Sequence, residues 1–95
     1  MIKIKVTDHA IQMSGHAGRM TESGIDRACA AVSALTCNLV NSLHDLTGDH
    51  IQAELESGHA SIQWEEITEQ GRLLVDSWFL GITDIDREYH CIEFQ

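Results

Sequence analysis

A histidine and a cysteine in the first third of the chain have the residue types of a base and a thiol nucleophile. His16 lies in Gly15-His16-Ala17, and Cys29 follows in the next segment. Asp26 can cap a helix that begins beside it, because its carboxylate can accept hydrogen bonds from the N–H groups of the first turn. Cys29 would then lie in that turn, where the helix dipole stabilises a thiolate and lowers the pKa of the thiol. A nearby imidazole lowers that pKa further, so the pair has the chemistry of nucleophilic catalysis.

Three neighbouring residues could support such a site. Ser33 lies one helical turn after Cys29 on the same face, where its hydroxyl could donate to the thiolate or hold a substrate group. Gly15 and Gly24 would allow a substrate backbone to approach closely, because glycine has no side chain. The N–H groups at the start of the helix could stabilise a developing oxyanion. These are hypotheses from spacing.

Each of these residues also has a structural interpretation that spacing alone leaves open. A cysteine in an alanine-rich helix is usually a small core residue, and we predict that role for Cys37. Asp26 could act only as a cap, Ser33 could bond to the preceding helical turn, and His16 could be a solvated surface group. On that interpretation the chain is a non-catalytic acidic binding or assembly module that docks on a basic partner.

The elements around the pair can be predicted from apolar periodicity. Ile2, Ile4 and Val6 alternate with lysines and predict a strand, and Ala10 to His16 predicts a second one. Residues 17–24 have no periodicity and are predicted to form a mobile loop. A strand, a loop and a helix in this order could bring His16 back to Cys29.

The rest of the chain predicts two helices, a hairpin and a short last strand. Apolar residues recur at helical steps after Asp26 until Gly48, which is suited to end a helix: Ala28, Val32, Leu35, Leu39, Leu43 and Leu46. Alternation on both sides of Ser57-Gly58 predicts a hairpin over residues 51–65. A second helix is predicted over 68–89, with Gly81 weakening its continuity, and residues 91–94 could add a strand. One side of that helix is apolar: Leu74, Trp78, Ile82, Ile85 and Tyr89.

This pattern predicts an α+β fold of order ββαββα(β). It would have a mainly antiparallel sheet of 4–5 strands with two helices packed on one face, in a single domain over residues 1–95. Core packing is the predicted role of at least one tryptophan, and Trp64, Trp78 and Phe79 could also contribute an apolar interface that would suit a homodimer.

Composition and charge exclude several classes of function. The 95 residues carry a formal net charge of −9, which disfavours nucleic-acid binding and suits a basic partner. No apolar stretch approaches the roughly 20 residues of a membrane span. Apolar residues and lysines alternate at the N-terminus in place of the apolar core of a signal peptide, so secretion is not expected. Three cysteines without CxxC spacing favour reduced thiols in the cytoplasm. Neither the histidines nor the cysteines have zinc-site spacing, and His90 and Cys91 should point to opposite faces of a strand, so no metal or other cofactor is predicted.

Taken together, Gly15-His16-Ala17 and the run from Gly24 to Leu35 resemble the signature of the ribosomal-processing cysteine protease family, Prp. The resemblance implies a Cys–His peptidase with Cys29 as nucleophile and His16 as base. It places Gly15, Asp26 and Ser33 at the family's other characteristic site positions. Family members are homodimers that remove a short N-terminal extension from a protein of the large ribosomal subunit, cutting after a hydrophobic, aromatic-containing segment. The resemblance therefore implies a basic ribosomal precursor as substrate.

Two features leave the choice of substrate open. Relatives of the family's substrate motif occur on phage structural proteins, so processing of such proteins is the alternative function. The family usually has apolar residues between the aspartate and the cysteine, whereas this chain has Arg27 and Ala28. The guanidinium of Arg27 could stabilise a thiolate or a substrate carboxyl group, or point to solvent, and neither departure removes the nucleophile or the base.

Overall fold

A five-stranded sheet and two helices form the part of the chain that the computed structural model describes, residues 1–16 and 26–95. The predicted α+β class is confirmed. The predicted loop over residues 17–24 lies outside the described residues. In chain order the elements are β1 (Ile2–Val6), β2 (Ala10–Ser14), α1 (Arg27–Ser42), a π-helical turn (Leu43–Thr47), β3 (Gln52–Glu56), β4 (His59–Gln63), α2 (Glu69–Tyr89) and β5 (Ile92–Phe94).

The sheet has one apolar face, which the two helices cover. Its strands lie in the order β3–β4–β2–β1–β5, and all neighbours are antiparallel except β1 and β5. The register sets Ile4 opposite Met13, and Ile11 opposite Ile62, so that apolar residues of three strands share the buried face. Both helices contribute to the same core through Ala28, Val32, Leu39, Val75, Trp78 and Ile82.

The first helix follows its predicted apolar pattern only as far as Leu43. After Ser42 the chain makes the π-helical turn, which ends at Gly48 with φ 70°. Leu43 is fully buried, whereas Leu46 is 76% exposed, so the prediction that Leu46 continues the apolar face is wrong. Hydrogen bonds in a π turn span five residues instead of the four of an α-helix. Leu46 lies within this turn and is therefore moved off the face that Leu43 occupies.

The second helix is continuous through Gly81. Thr68 caps it by accepting a hydrogen bond from the Gly71 N–H at 3.1 Å. A Cβ atom at Gly81 would lie 2.7 Å from Leu35 Cδ1, so glycine here lets α2 approach α1 closely. The helix ends at Tyr89, and its C-cap residue His90 has a φ of 50°, before β5 begins at Ile92. The prediction that His90 lies on a strand is therefore wrong.

Both tryptophans lie in the core, and their N–H groups have partners. Trp78 Nε1 donates to Thr36 Oγ1 at 3.1 Å, and Trp64 Nε1 donates to the Asp8 carbonyl at 3.0 Å. The prediction of a core role for at least one tryptophan is confirmed. Phe79 is 37% exposed beside Phe94, and their ring centroids are 5.3 Å apart.

Asp49 joins the end of the π turn to the start of α2. Its carboxylate accepts hydrogen bonds from Thr47 Oγ1 at 2.7 Å, from Thr68 Oγ1 at 2.8 Å and from the Thr68 N–H at 3.1 Å. Burial opposes ionisation and would raise the pKa of Asp49. These hydrogen bonds outweigh it and lower the pKa below its ordinary value, with a smaller contribution from His50. The carboxylate therefore binds the two segments most strongly when it is ionised.

No helix among the described residues is long and apolar enough to cross a membrane.

Candidate active site

The start of α1 places Cys29 in the first helical turn. Asp26 is the N-cap, and its Oδ1 accepts a hydrogen bond from the Cys29 N–H at 3.0 Å. The Asp26 carbonyl also accepts the first intrahelical bond, from Ala30 N at 3.0 Å. This is the capping geometry that the sequence predicts, and it leaves the Cys29 side chain partly buried. Because the Cys29 N–H is donated to Asp26, an oxyanion at this helix end would need a different N–H donor.

His16 follows β2 and lies against the turn between β3 and β4. Gly15, with φ 93°, donates its N–H to the Gly58 carbonyl at 2.9 Å. A Cβ atom at Gly15 would lie 2.6 Å from the Met1 carbonyl oxygen, and one at Gly58 would lie 2.7 Å from His16 Nε2. Neither position has room for a larger residue unless its surroundings move. The two glycines thus set where the imidazole lies.

One cavity of about 180 Å³ joins the residues that could do chemistry. It lies between α1, the end of β2 and the β3–β4 turn. Four of the six predicted site residues line it: Gly15, His16, Cys29 and Ser33. Asp26 acts on it through the helix cap, and Gly24 lies outside the described residues. The arrangement offers a thiol, an imidazole and a hydroxyl to one bound group.

Cys37 belongs to this cavity and not to the core. It is exposed and lines the cavity, so the prediction that it is a small core residue is wrong. The buried side of α1 runs through Val32, Thr36 and Leu39. Steps of four residues from Cys29 through Ser33 to Cys37 rotate gradually away from that side. This spacing was the signal in the sequence that could have placed Cys37 in the same cavity as Cys29.

The β3–β4 hairpin supplies the other wall of the cavity, which spacing did not reveal. Leu55, Glu56, Gly58 and His59 all line it. The sequence predicted this hairpin but gave no sign that its turn lies beside His16, because that contact depends on the strand order of the sheet.

A larger cleft of about 880 Å³ lies at the opposite end of β4. Asp49, Trp64 and Glu65 are among the residues that line it, but no cysteine is. We therefore place the candidate active site in the smaller cavity. Within residues 1–16 and 26–95, no group of three or more His, Cys, Asp or Glu residues could hold a metal ion.

An α+β fold with a helix-capped cysteine and a histidine on one cavity has the features of a small cysteine protease. The family model described as cysteine protease Prp matches residues 1–92. The chain therefore belongs to the Prp cysteine protease family and is a cysteine protease. Family membership removes the non-catalytic alternative.

Solved structures agree with this assignment. The ribosomal processing protease Prp from S. aureus, in complex with a covalently linked product peptide, is 25% identical. It aligns with a TM-score of 0.83 over 99% of this chain and 95% of its own. A protein from Streptococcus mutans is 28% identical and aligns with a TM-score of 0.77 over 99% and 90% of the two chains. A second S. aureus Prp structure, with a substrate peptide, is 22% identical with a TM-score of 0.74 over 99% and 95%. No curated protein matches the chain significantly.

Proposed function

We propose that this protease cleaves a peptide bond with Cys29 as nucleophile and His16 as base. The observation that carries the proposal is that both residues line one cavity, with Cys29 in the first turn of a capped helix. His16 takes the proton of the thiol, and the thiolate attacks the carbonyl carbon of the scissile bond. The C–N bond breaks, the amine leaves with the proton from His16, and a thioester to Cys29 remains. Water, deprotonated by His16, then hydrolyses the thioester to a carboxylic acid and the free thiol.

The remaining site residues have supporting roles in this proposal. Asp26 fixes the position of Cys29 by holding its N–H, and Ser33 presents a hydroxyl to the same cavity. Gly15 keeps the end of β2 close to Met1 and so positions His16, and the proposed role of Gly24 is to admit the substrate backbone. The covalently linked product peptide of the S. aureus relative supports a mechanism through a bond to the enzyme.

The proposed substrate is the precursor of a basic protein of the large ribosomal subunit, from which a short N-terminal extension is removed. Two observations support it: the S. aureus relative is described as a ribosomal processing protease, and the chain has a net charge of −9. Opposite charge accelerates the encounter of enzyme and substrate. The proposal includes a homodimer that acts in the cytoplasm, where ribosomal proteins are made.

Incubation with the host's own ribosomal precursor tests the proposal, with the product mass identifying the bond that is cut. Cleavage should vanish in Cys29→Ala and in His16→Ala. His44→Ala is the matched control, because His44 is an exposed histidine that pairs with Asp45 and does not line the cavity. Persistent cleavage in either site variant would refute the assigned roles. If the ribosomal precursor stays intact and a phage structural protein is cleaved, the phage protein is the substrate of this protease.

Thiol reactivity tests the nucleophile without a substrate. Cys29 should be alkylated faster than Cys37, with an apparent pKa below the ~8.5 of an ordinary thiol. Cys37 is an internal control because it is the more exposed of the two. A rate for Cys29 that does not exceed that of Cys37 at any pH would mean that the helix start does not activate the thiol.

A further inference from the structure

The strand β3 presents an open edge beside the candidate active site. It lies at the end of the sheet and pairs with β4, and all five of its residues are exposed. No second strand pairs with it among residues 1–16 and 26–95. An exposed edge of this kind can accept another extended chain through backbone hydrogen bonds.

The register shows which backbone groups of β3 point outward. The Trp64 N–H donates to the His9 carbonyl, next to the β2–β4 ladder. Backbone groups alternate in direction along a strand, so residues 60 and 62 of β4 bond to β2, and residues 59, 61 and 63 bond to β3. Their β3 partners are residues 56, 54 and 52. Ala53 and Leu55 therefore direct their N–H and C=O groups to the open edge.

The two faces of β3 differ in chemistry. Ala53 and Leu55 lie opposite the buried residues Ile62 and Ala60, and so lie on the apolar face of the sheet. Leu55 is nevertheless 42% exposed. Glu54 and Glu56 lie on the opposite, polar face, and neither forms an ion pair within the described part of the chain.

The apolar face of this edge continues into the candidate active site. Leu55 lines the same cavity as Cys29 and His16, and β3 ends at the turn whose Gly58 lies under the His16 ring. The five residues of β3 span about 17 Å at ~3.4 Å per residue. A peptide paired along them would run toward the turn at Gly58, which borders the cavity that Cys29 and His16 line.

We propose that β3 binds the substrate as an added strand and selects an extended segment with alternating side chains. Apolar side chains of the segment lie beside Ala53 and Leu55, and the basic side chains between them lie beside Glu54 and Glu56. This inference rests on the proposed function, because it takes the Cys29 cavity as the place of cleavage.

Charge favours a basic peptide over a second copy of this chain as the occupant of the edge. Two β3 strands side by side would set Glu54 and Glu56 beside the same residues of the partner copy, on one face of a joined sheet. Like charges across neighbouring strands are destabilising.

Peptide binding to the Cys29→Ala protein tests the inference without proteolysis, and so separates its failure from that of the proposed function. The probes are two labelled peptides of about nine residues and identical composition. One alternates leucine or valine with lysine, and the other has the same residues shuffled into blocks. We expect the alternating peptide to bind at least about tenfold tighter, as measured by fluorescence anisotropy. Equal affinities would overturn the inference.

Two further measurements separate an added strand from apolar capture alone. N-methylation of the peptide, one backbone nitrogen at a time, should weaken binding at every second position, because alternate N–H groups face β3. A flat profile would contradict the added strand, and this test needs no change in the protein. Ala53→Pro removes an outward N–H without removing a bond to β4 and should weaken binding of the alternating peptide about tenfold. Leu73→Ser, at an exposed leucine of α2, is the control.

The Ala53→Pro variant also reports on the competing occupant. If Ala53→Pro converts a dimer to a monomer in sedimentation and leaves peptide affinity unchanged, the edge is a contact between two copies and the inference is wrong.

Glu54→Gln should reduce the affinity for the lysine-containing peptide severalfold but not for its glutamine counterpart. Glu88→Gln changes the net charge equally from an exposed position on α2 and should change neither.

Discussion

Replacing Gly15 by alanine should destabilise the protein far more than the same change at Gly48. Both glycines have positive φ, 93° and 70°, and a Cβ in that region costs roughly 1–2 kcal/mol. The surroundings differ. A Cβ at Gly15 would lie 2.6 Å from the Met1 carbonyl oxygen, whereas nothing lies within 4 Å of one at Gly48. The Met1 oxygen belongs to the backbone and is held in place, because the next residue, Ile2, donates its N–H to the Cys91 carbonyl at 2.8 Å.

The size of the difference follows from that contact. Forcing an extra carbon into a packed place costs about 1–3 kcal/mol, which adds to the conformational cost at Gly15 only. Gly15→Ala should therefore lower the free energy of unfolding by about 2–5 kcal/mol, and Gly48→Ala by about 1–2 kcal/mol. Small domains have only about 5–15 kcal/mol in total, so the Gly15 variant should be close to unfolding.

Urea unfolding measures both values. The buried Trp64 and Trp78 provide fluorescence, and circular dichroism provides an independent probe of the same transition. With a slope of ~1–3 kcal/mol per molar, the Gly15→Ala midpoint should fall by about 0.7 M or more. Equal midpoints for the Gly15 and Gly48 variants would refute the reasoning, because they would show that the strand start at Met1 yields without cost.

Three further predictions concern Gly58, Asp49 and Asp26. Gly58→Ala should reduce kcat by about tenfold or more with a modest loss of stability, because its Cβ would displace the movable His16 ring; unchanged kcat would contradict this. Hydrogen bonds lower the pKa of Asp49, so its contribution to stability is present above the unfolded value of ~3.9 and is lost as pH falls through the lower folded value. Urea unfolding between about pH 7 and pH 3 should show a shallower pH dependence in Asp49→Asn, and an identical profile would exclude this role. Asp26→Asn should retain the helix cap, whereas Asp26→Ala should lose about 1 kcal/mol in thermal unfolding and leave the Cys29 N–H without this acceptor; equal losses would count against the cap.

The features that could be predicted from the sequence are those that depend on neighbouring residues. The cap at Asp26 and the position of Cys29 follow from a few adjacent side chains, and the strands follow from alternation over about five residues. The same rules failed at Leu46, because a π turn changes the residue spacing without changing the residue types. They failed at Cys37 because the alanine-rich segment around it suggests burial, whereas its position on α1 lies away from the buried side of the helix.

The cavity itself could not be predicted, because it depends on contacts between distant segments. Gly15 meets Gly58 only because β4 lies beside β2 in the sheet, and nothing in the local sequence of the hairpin specifies that order. Leu55 has the apolar character of a core residue and the alternation of a buried strand. It is exposed because β3 lies at the end of the sheet, where its apolar face is not fully covered.

The two proposed reacting groups, Cys29 and His16, are consequently held by different kinds of constraint. Cys29 is positioned by the cap of its own helix, so it should keep its place as long as α1 forms. His16 is positioned by Gly15 against Met1 and by Gly58 under its ring, and both contacts require the assembled sheet. Substitutions that disturb the sheet edge near these glycines should therefore separate the base from the nucleophile while the thiol remains at the helix start. Such variants should lose peptidase activity before they lose the enhanced alkylation that we propose for Cys29 at the helix start.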